Sequence, residues 1–272
     1  MVIAPERGLR PGAGRGRIPE PTDEELETCP FCAGREDRTP PETLRLGEPW
    51  RVRVVPNLYP AFDRQEVVIH SPEHKRSFAD LDDDEVRLVA EAWSRRRAAH
   101  PDGYVHACVN EGVDAGASLP HTHSQLVWLP DAPPPVTEET EQGLNELVAK
   151  VQSSSNELEI ELQRDVLAFC PPASRVPYEV LIANGYVEND SVFAPESLTG
   201  PLFVLRSVIR RLRAVEGPAP WNAWLHVGSR SWHIEVLPRL TVFAGIELGA
   251  GIYVNALPPE EAAERLRNAN PP

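Results

Sequence analysis

The 272-residue chain has one methionine and four cysteines, aromatic residues make up only 7%, and 27 Lys and Arg are outnumbered by 41 Asp and Glu. Each shortage excludes something. Four thiols are too few to staple a chain of this length with disulfides, so reduced cysteines, with or without a metal, fit better. A net charge of −14 leaves no cationic surplus to neutralise a nucleic-acid backbone, and any phosphate ligand must be small. Long apolar runs are missing too. Val180-Leu181-Ile182-Ala183 falls far short of the roughly 20 residues of a membrane helix, and Met1 to Pro5 carries no basic leader region. The expectation is a soluble cytoplasmic protein that engages neither membrane nor nucleic acid. Proline is abundant: 29 residues, about double the usual share of roughly 5%, gathered at Pro19 to Pro21, Pro130 to Pro135 and Pro218 to Pro220, where they punctuate rigid elements.

The first clear helix follows Asp82, which has capping-box spacing to Glu85, with Val86, Val89, Ala90 and Trp93 on one face and Arg95, Arg96 and Arg97 at the end. Trp50 to Val55, Glu66 to Ile69, Tyr104 to Val109 and Gln125 to Leu129 read as strands. Further helical patterns carry Leu144, Leu147, Val148 and Val151, then Leu202, Leu205, Val208, Ile209 and Leu212, and a last helix starts at Pro258-Pro259-Glu260. The pattern repeats. Glu66-Val67-Val68-Ile69 recurs as Glu179-Val180-Leu181-Ile182, 113 residues on, while Asn110 and His121 recur as Asn222 and His233, 112 residues on. This predicts an α+β fold of two tandem units, residues 1–135 and 136–272, each an antiparallel sheet flanked by helices, with Glu66 and Glu179 at corresponding strand starts.

The chemistry concentrates between Asn110 and Gln125. In a strand starting at His121, the side chains of His121, His123 and Gln125 share one face. A neutral imidazole attacks phosphorus at pH 7, and an amide donates to a phosphoryl oxygen as charge grows. The Gly-rich loop before it brings backbone N–H groups and the Ser118 hydroxyl toward the same phosphate. In the second copy Glu235 and Leu237 stand in place of His123 and Gln125, so one catalytic centre per chain is expected. Cys29-Pro30-Phe31-Cys32 supplies two metal ligands, and His74 and His121 are the best-placed histidines to complete a tetrahedral zinc site. Cys108 and Cys170 read as core residues.

These residues, with Ile3 to Arg7, Arg10-Pro11, Val54 to Ala61, Ser71-Pro72-Glu73-His74, Trp232 to Arg239 and Gly251 to Asn255, form a colinear series that resembles the galactose-1-phosphate uridylyltransferase family of the histidine-triad superfamily. The resemblance implies a ping-pong reaction in which His123 takes UMP from UDP-glucose and passes it to galactose 1-phosphate. It implies that Gln125 and Ser118 contact the transferred phosphoryl group. Asn57 would hold the ribose, Arg7 and Arg10 would reach phosphates, Asn110 would line the substrate site, and Glu247 would bind sugar hydroxyls. It also makes Cys29, Cys32, His74 and His121 ligands of a structural zinc ion, and implies a homodimer. The family usually has proline between the two histidines and glycine after the second, where this chain has Thr122 and Ser124. A second-half metal, for which only His226, His233 and Glu235 are on offer, is not expected. A nucleoside-diphosphate-sugar or dinucleoside polyphosphate phosphorylase or hydrolase would use the same residues. An inactive nucleotide-binding regulator would have no need of the histidine, amide and hydroxyl set.

Overall fold

A computed structural model of the chain describes residues 1–9, 17–138, 141–153, 157–184, 192–228 and 232–271. In chain order the elements are β1 (Val2–Ile3), α1 (Asp23–Thr28), β2 (Leu44–Leu46), β3 (Val52–Pro56), β4 (Gln65–Ile69), α2 (Asp83–Ala99), β5 (Tyr104–Glu111), β6 (His123–Leu129), α3 (Pro134–Glu138) and α4 (Glu141–Ser153). There follow β7 (Glu159–Gln163), β8 (Val166–Phe169), β9 (Val180–Asn184), α5 (Pro195–Glu216), β10 (Trp221–Val227), β11 (Trp232–Pro238), α6 (Gly245–Ala250), β12 (Val254–Asn255) and α7 (Pro259–Asn268).

Ten strands make one antiparallel sheet in the order β2-β3-β4-β6-β5-β10-β11-β9-β8-β7. Read outward from the central β5–β10 pair, the order is β5-β6-β4-β3-β2 on one side and β10-β11-β9-β8-β7 on the other, with α2 and α5 at equivalent places in the chain. The 112-residue spacing holds in the ladder: Val68 pairs with Ser124, and Val180 with Val236. Glu66 and Glu179 do not correspond. In this register Glu179 occupies the place equivalent to Val67, not Glu66, and a one-residue slip turns a side chain to the other face of a sheet. Accordingly Glu66 faces α2, where it takes a two-pronged ion pair from Arg96 at 2.7 and 2.8 Å, whereas Glu179 binds Arg175 at 2.6 Å.

The capping box of α2 forms as expected, Glu85 N–H donating to Asp82 and Asp82 N–H to Glu85, both at 2.8 Å. Its apolar stripe, Val86, Val89, Ala90 and Trp93, joins Leu198, Leu202, Leu205 and Val208 of α5 over one sheet face; each such side chain buried contributes about 1.5–3 kcal/mol. The basic side of α5 ties the layers together, Arg206 donating to the Leu81 carbonyl and Asp83, and Arg210 to the Ala79 carbonyl.

The opposite face is covered only at its flanks. Cys29, Phe31 and Trp50 pack on Val55, Val67 and Ile69 at one end, and Val148 and Val151 of α4 pack on Leu167, Phe169 and Ala183 at the other. Between these pads the central strands present polar side chains. No described helix is long and apolar enough to cross a membrane.

Candidate active site and metal centre

β6 starts at His123, two residues later than the alternating pattern suggested, and His121 sits in the entry to the strand. The departure has a local cause. His121 Nε2 donates to the Ser71 carbonyl at 3.0 Å, which leaves the lone pair of Nδ1 facing Cys29 Sγ at 3.4 Å and Cys32 Sγ at 3.7 Å. His74 is arranged likewise, with Nε2 on Glu25 at 2.8 Å and Nδ1 3.4 Å from Cys32 Sγ. The four ligand atoms lie within 4.8 Å of one another. Zn–N and Zn–S bonds of roughly 2.0–2.1 and 2.3 Å around a tetrahedron place N and S about 3.6 Å apart, so the donor set fits zinc. Electrostatics agree. Burial, helped by His74, pushes His121 down to about 3, keeping it neutral as a ligand must be. Burial and the neighbouring Cys29 push the Cys32 thiol up, a cost that a divalent cation offsets. Glu25, itself held by Arg76 at 2.8 Å, orients His74 in the manner of a carboxylate–histidine pair.

The same segment fixes His123. Its Nδ1 donates to the His121 carbonyl at 2.8 Å, so the tautomer is set by a residue of the candidate metal cluster rather than by the Gly-rich loop, and Nε2 keeps its lone pair. Phe31, inside the Cys29–Cys32 turn, stands edge-on to the His123 ring at 5.4 Å. Burial lowers the basicity of His123, partly countered by the carbonyl. The imidazole is thus neutral and aimed.

The two departures from the family pattern are joined by a residue that sequence reading passed over. His70 is fully buried, and its Nδ1 meets Thr122 Oγ1 at 3.1 Å while Nε2 meets Ser124 Oγ at 2.9 Å. Trp93 Nε1, which can only donate, bonds the same Ser124 oxygen at 2.9 Å. The arrangement that gives the buried Ser124 proton an acceptor is Ser124 donating to His70 Nε2 and His70 Nδ1–H donating to Thr122. Two hydroxyls and one imidazole hold the histidine strand against β4 and α2.

Gln125 lies on the His123 side of β6, half-buried, and its Oε1 accepts from Gln65 Nε2 at 2.6 Å. Asn110 follows the Val109–Ser124 pair by one residue, beside His123, and its Oδ1 accepts from Asn222 Nδ2 at 2.7 Å. Asn57 directly follows β3, next to Gln65, its N–H donating to the Gln65 carbonyl at 2.8 Å. Cys108 stands opposite both Gln125 and Trp224 in the ladder.

The other candidates are carried by separate segments. Ser118 is exposed on the loop and lines, with Arg17, Arg76 and Asp114, a cavity of about 300 Å³. Arg7 is on the short turn Pro5–Leu9, tied to the second half through Ala4 N–H and the Asn255 carbonyl. Glu247 is buried and accepts from Ala244 N–H at 2.8 Å, closing the first turn of α6. Arg10 lies outside the described residues.

A second cluster is present after all: the ligand atoms of His226, His233 and Glu235 lie within 4.8 Å of one another. Glu235 Oε1 lies 3.2 Å from His226 Nδ1 and 3.4 Å from His233 Nε2, and its Oε2 is paired with Arg175. Burial raises the Glu235 carboxyl, but His233, Arg175 and His226 together bring it down to about 2.

Residues 59–134 match the family model described as Galactose-1-phosphate uridyl transferase, N-terminal domain. An ADP-glucose phosphorylase of Arabidopsis thaliana is 26% identical over 99% of this chain and 90% of its own length. A galactose-1-phosphate uridylyltransferase of Streptomyces lividans is 28% identical over 94% of this chain and 82% of its own. The crystal structure of an ADP-glucose phosphorylase from Arabidopsis thaliana with bound ADP-glucose shares the fold, with a TM-score of 0.80, 24% identity and coverage of 98% and 95%. The family model matched over residues 59–134, the relatives aligned along nearly the whole chain and the shared fold agree in making the chain similar to galactose-1-phosphate uridylyltransferases and to a nucleotide-sugar phosphorylase of the same fold.

Proposed function

We propose that the protein transfers a nucleoside monophosphate from a nucleoside diphosphate sugar to a phosphate-bearing acceptor through a covalent nucleotidyl-histidine on His123. One observation carries this reading: His123 has its Nδ1 locked on the His121 carbonyl, which leaves the lone pair on Nε2, and Nε2 bonds no other described residue. That nitrogen sits on a strand face flanked by the amides of Gln125 and Asn110. In the first half-reaction the Nε2 lone pair attacks the α-phosphorus, and the bond from that phosphorus to the bridging oxygen breaks. The sugar phosphate leaves with the electron pair, and the imidazole, still holding its Nδ1 proton, carries the positive charge against the carbonyl. An acceptor oxygen then attacks the same phosphorus, the P–N bond breaks, and His123 returns neutral. Donors from Gln125 and the Ser118 loop meet the charge that develops on the phosphoryl oxygens. Zinc held by Cys29, Cys32, His74 and His121 is structural in this scheme, fixing the residues that aim His123.

The family resemblance supports UMP transfer from UDP-glucose to galactose 1-phosphate, with Asn57 at the ribose, Arg7 and Arg10 at phosphates and Glu247 at the sugar. A second reading, phosphorolysis of ADP-glucose by inorganic phosphate, is favoured by the phosphorylase aligned with 99% of this chain. Both use the same intermediate. The mirrored strand order and the 112-residue ladder spacing support an assembly of two tandem histidine-triad-like units, 1–135 catalytic and 136–272 degenerate. A homodimer would cover the exposed Ile246, Leu248 and Ile252 around Glu247.

The test uses UDP-glucose and ADP-glucose as donors, each with galactose 1-phosphate or inorganic phosphate as acceptor. The proposal expects one donor to exchange label with its own sugar phosphate in the absence of any other acceptor, as a ping-pong route requires. Turnover seen only when donor and acceptor are both present, without such exchange, would contradict the covalent route.

A further inference from the structure

Two amide side chains outside the histidine segment each terminate in a backbone group whose polarity is fixed. Gln65 Oε1 accepts from Ala61 N–H at 2.9 Å. A backbone N–H can only donate, so the Gln65 amide has one orientation, and its NH₂ is the group that meets Gln125 at 2.6 Å. Gln125 must then present its oxygen to Gln65 and its NH₂ to the open face. On the other side Asn222 Nδ2 donates to the Ala115 carbonyl at 2.7 Å. A carbonyl can only accept, so the Asn222 NH₂ is again fixed, and its second hydrogen meets Asn110 Oδ1 at 2.7 Å. Asn110 too has its oxygen committed, and its NH₂ bonds no other described residue. A terminal amide has two broad orientations and the wrong one turns an acceptor toward an anion.

We infer that Gln65 and Asn222 are positioning residues that set the orientation of the Gln125 and Asn110 amides, so that both meet a phosphoryl group as donors. The inference rests on the nucleotidyl-transfer reading for its consequence in rate, while the orientation itself is independent of it. Gln65 touches no reacting atom; it acts through Gln125. Glu is closer in shape to Gln than Leu is, so a purely packing role for Gln65 predicts that Gln65→Leu is the more damaging change. A relay predicts the reverse. A carboxylate at 65 only accepts, and draws the Gln125 NH₂ away from the phosphoryl group, whereas leucine merely releases it.

The experiment measures single-turnover nucleotidyl labelling of His123 at saturating UDP-glucose or ADP-glucose, and the side-chain amide signals of protein labelled with ¹⁵N-glutamine. Gln65→Glu should slow labelling by about 10²-fold, as loss of one oxyanion donor does, and Gln65→Leu by less. In a Gln125→Ala background Gln65→Glu should cost little more, which separates the relay from the repulsion of a new charge. Asn222→Asp should likewise exceed Asn222→Leu. The Gln125 amide signal, identified by its loss in Gln125→Glu, should move in both Gln65 variants. An unmoved Gln125 signal, Leu worse than Glu, or a Gln65→Glu effect that persists undiminished without Gln125 would each overturn the relay. A Gln125 signal that moves in the Gln65 variants, with a wild-type protein that takes no label from any donor, would uphold the relay and overturn the nucleotidyl-transfer reading instead.

Discussion

Asn222 donates to Asn110 at 2.7 Å across the central strand pair, and the two are direct partners in the ladder. They are also the residues that the 112-residue repeat matches to one another. The strand order is mirrored about this pair, and the centre of the single sheet, rather than either end, is the uncovered polar face. The second half thereby props an amide of the first, although its own equivalents of His123 and Gln125 are Glu235 and Leu237.

The cysteine–histidine cluster should hold about one zinc ion per chain, since its spacing and tautomers already suit the metal. Cys29→Ser or His74→Ala is expected to lose that metal and to lower the melting temperature, because structural zinc binding contributes directly to folding. His233→Ala should keep it. Elemental analysis of the three purified variants decides between this and a cluster of unmetallated thiols.

The His70 bridge should be worth more than one hydrogen bond. His70→Leu leaves the Thr122 hydroxyl without its partner and the Ser124 hydroxyl with no acceptor for its proton in a buried place, at a cost of about 1–3 kcal/mol for each unsatisfied group. Urea unfolding of His70→Leu, Ser124→Ala and the double variant should show strong coupling between the two sites. Additive losses would mean that the bridge holds nothing.

Glu111 ends β5 buried, its carboxylate accepting from Phe78 N–H at 3.0 Å. Burial pushes it up to about 7 against an ordinary value of 4.5. The native state therefore holds this proton more tightly than the unfolded chain, and stability contributed by the protonated form is lost as pH rises from about 4.5 through 7. Glu111→Gln should gain in melting temperature relative to wild type between pH 5 and pH 8. A difference that stays constant over that range would show that Glu111 ionises normally.

Much of this was legible from spacing alone. Asp82 and Glu85 announced their helix because capping is local, and the Cys29–Cys32 pair with His74 and His121 announced a cluster of metal-binding type because ligand chemistry is narrow. Identity misled at Glu66 and Glu179, which match in letters yet face opposite sides of the sheet, since face is set by ladder register and not by neighbours in sequence. Short elements escaped: β2, α1 and the β7–β8 hairpin carry too few residues for a periodicity to emerge. Gln65, His70 and Asn222 were invisible as site residues for another reason. Each acts through a partner more than 50 residues away, and only the folded register brings them together. Arg175 beside Glu235 is a similar case, 60 residues apart in the chain.

The central claim is that His123 itself becomes nucleotidylated. Wild-type protein and His123→Ala are to be incubated with UDP-glucose and with ADP-glucose, digested under mildly basic conditions, and the peptide spanning His123 weighed by mass spectrometry. The expected result is an acid-labile nucleoside monophosphate adduct on His123 from at least one donor, absent from His123→Ala although that variant keeps its zinc, with Gln125→Ala forming it about 10²-fold more slowly. An adduct on any other residue, or turnover surviving in His123→Ala, would contradict the account.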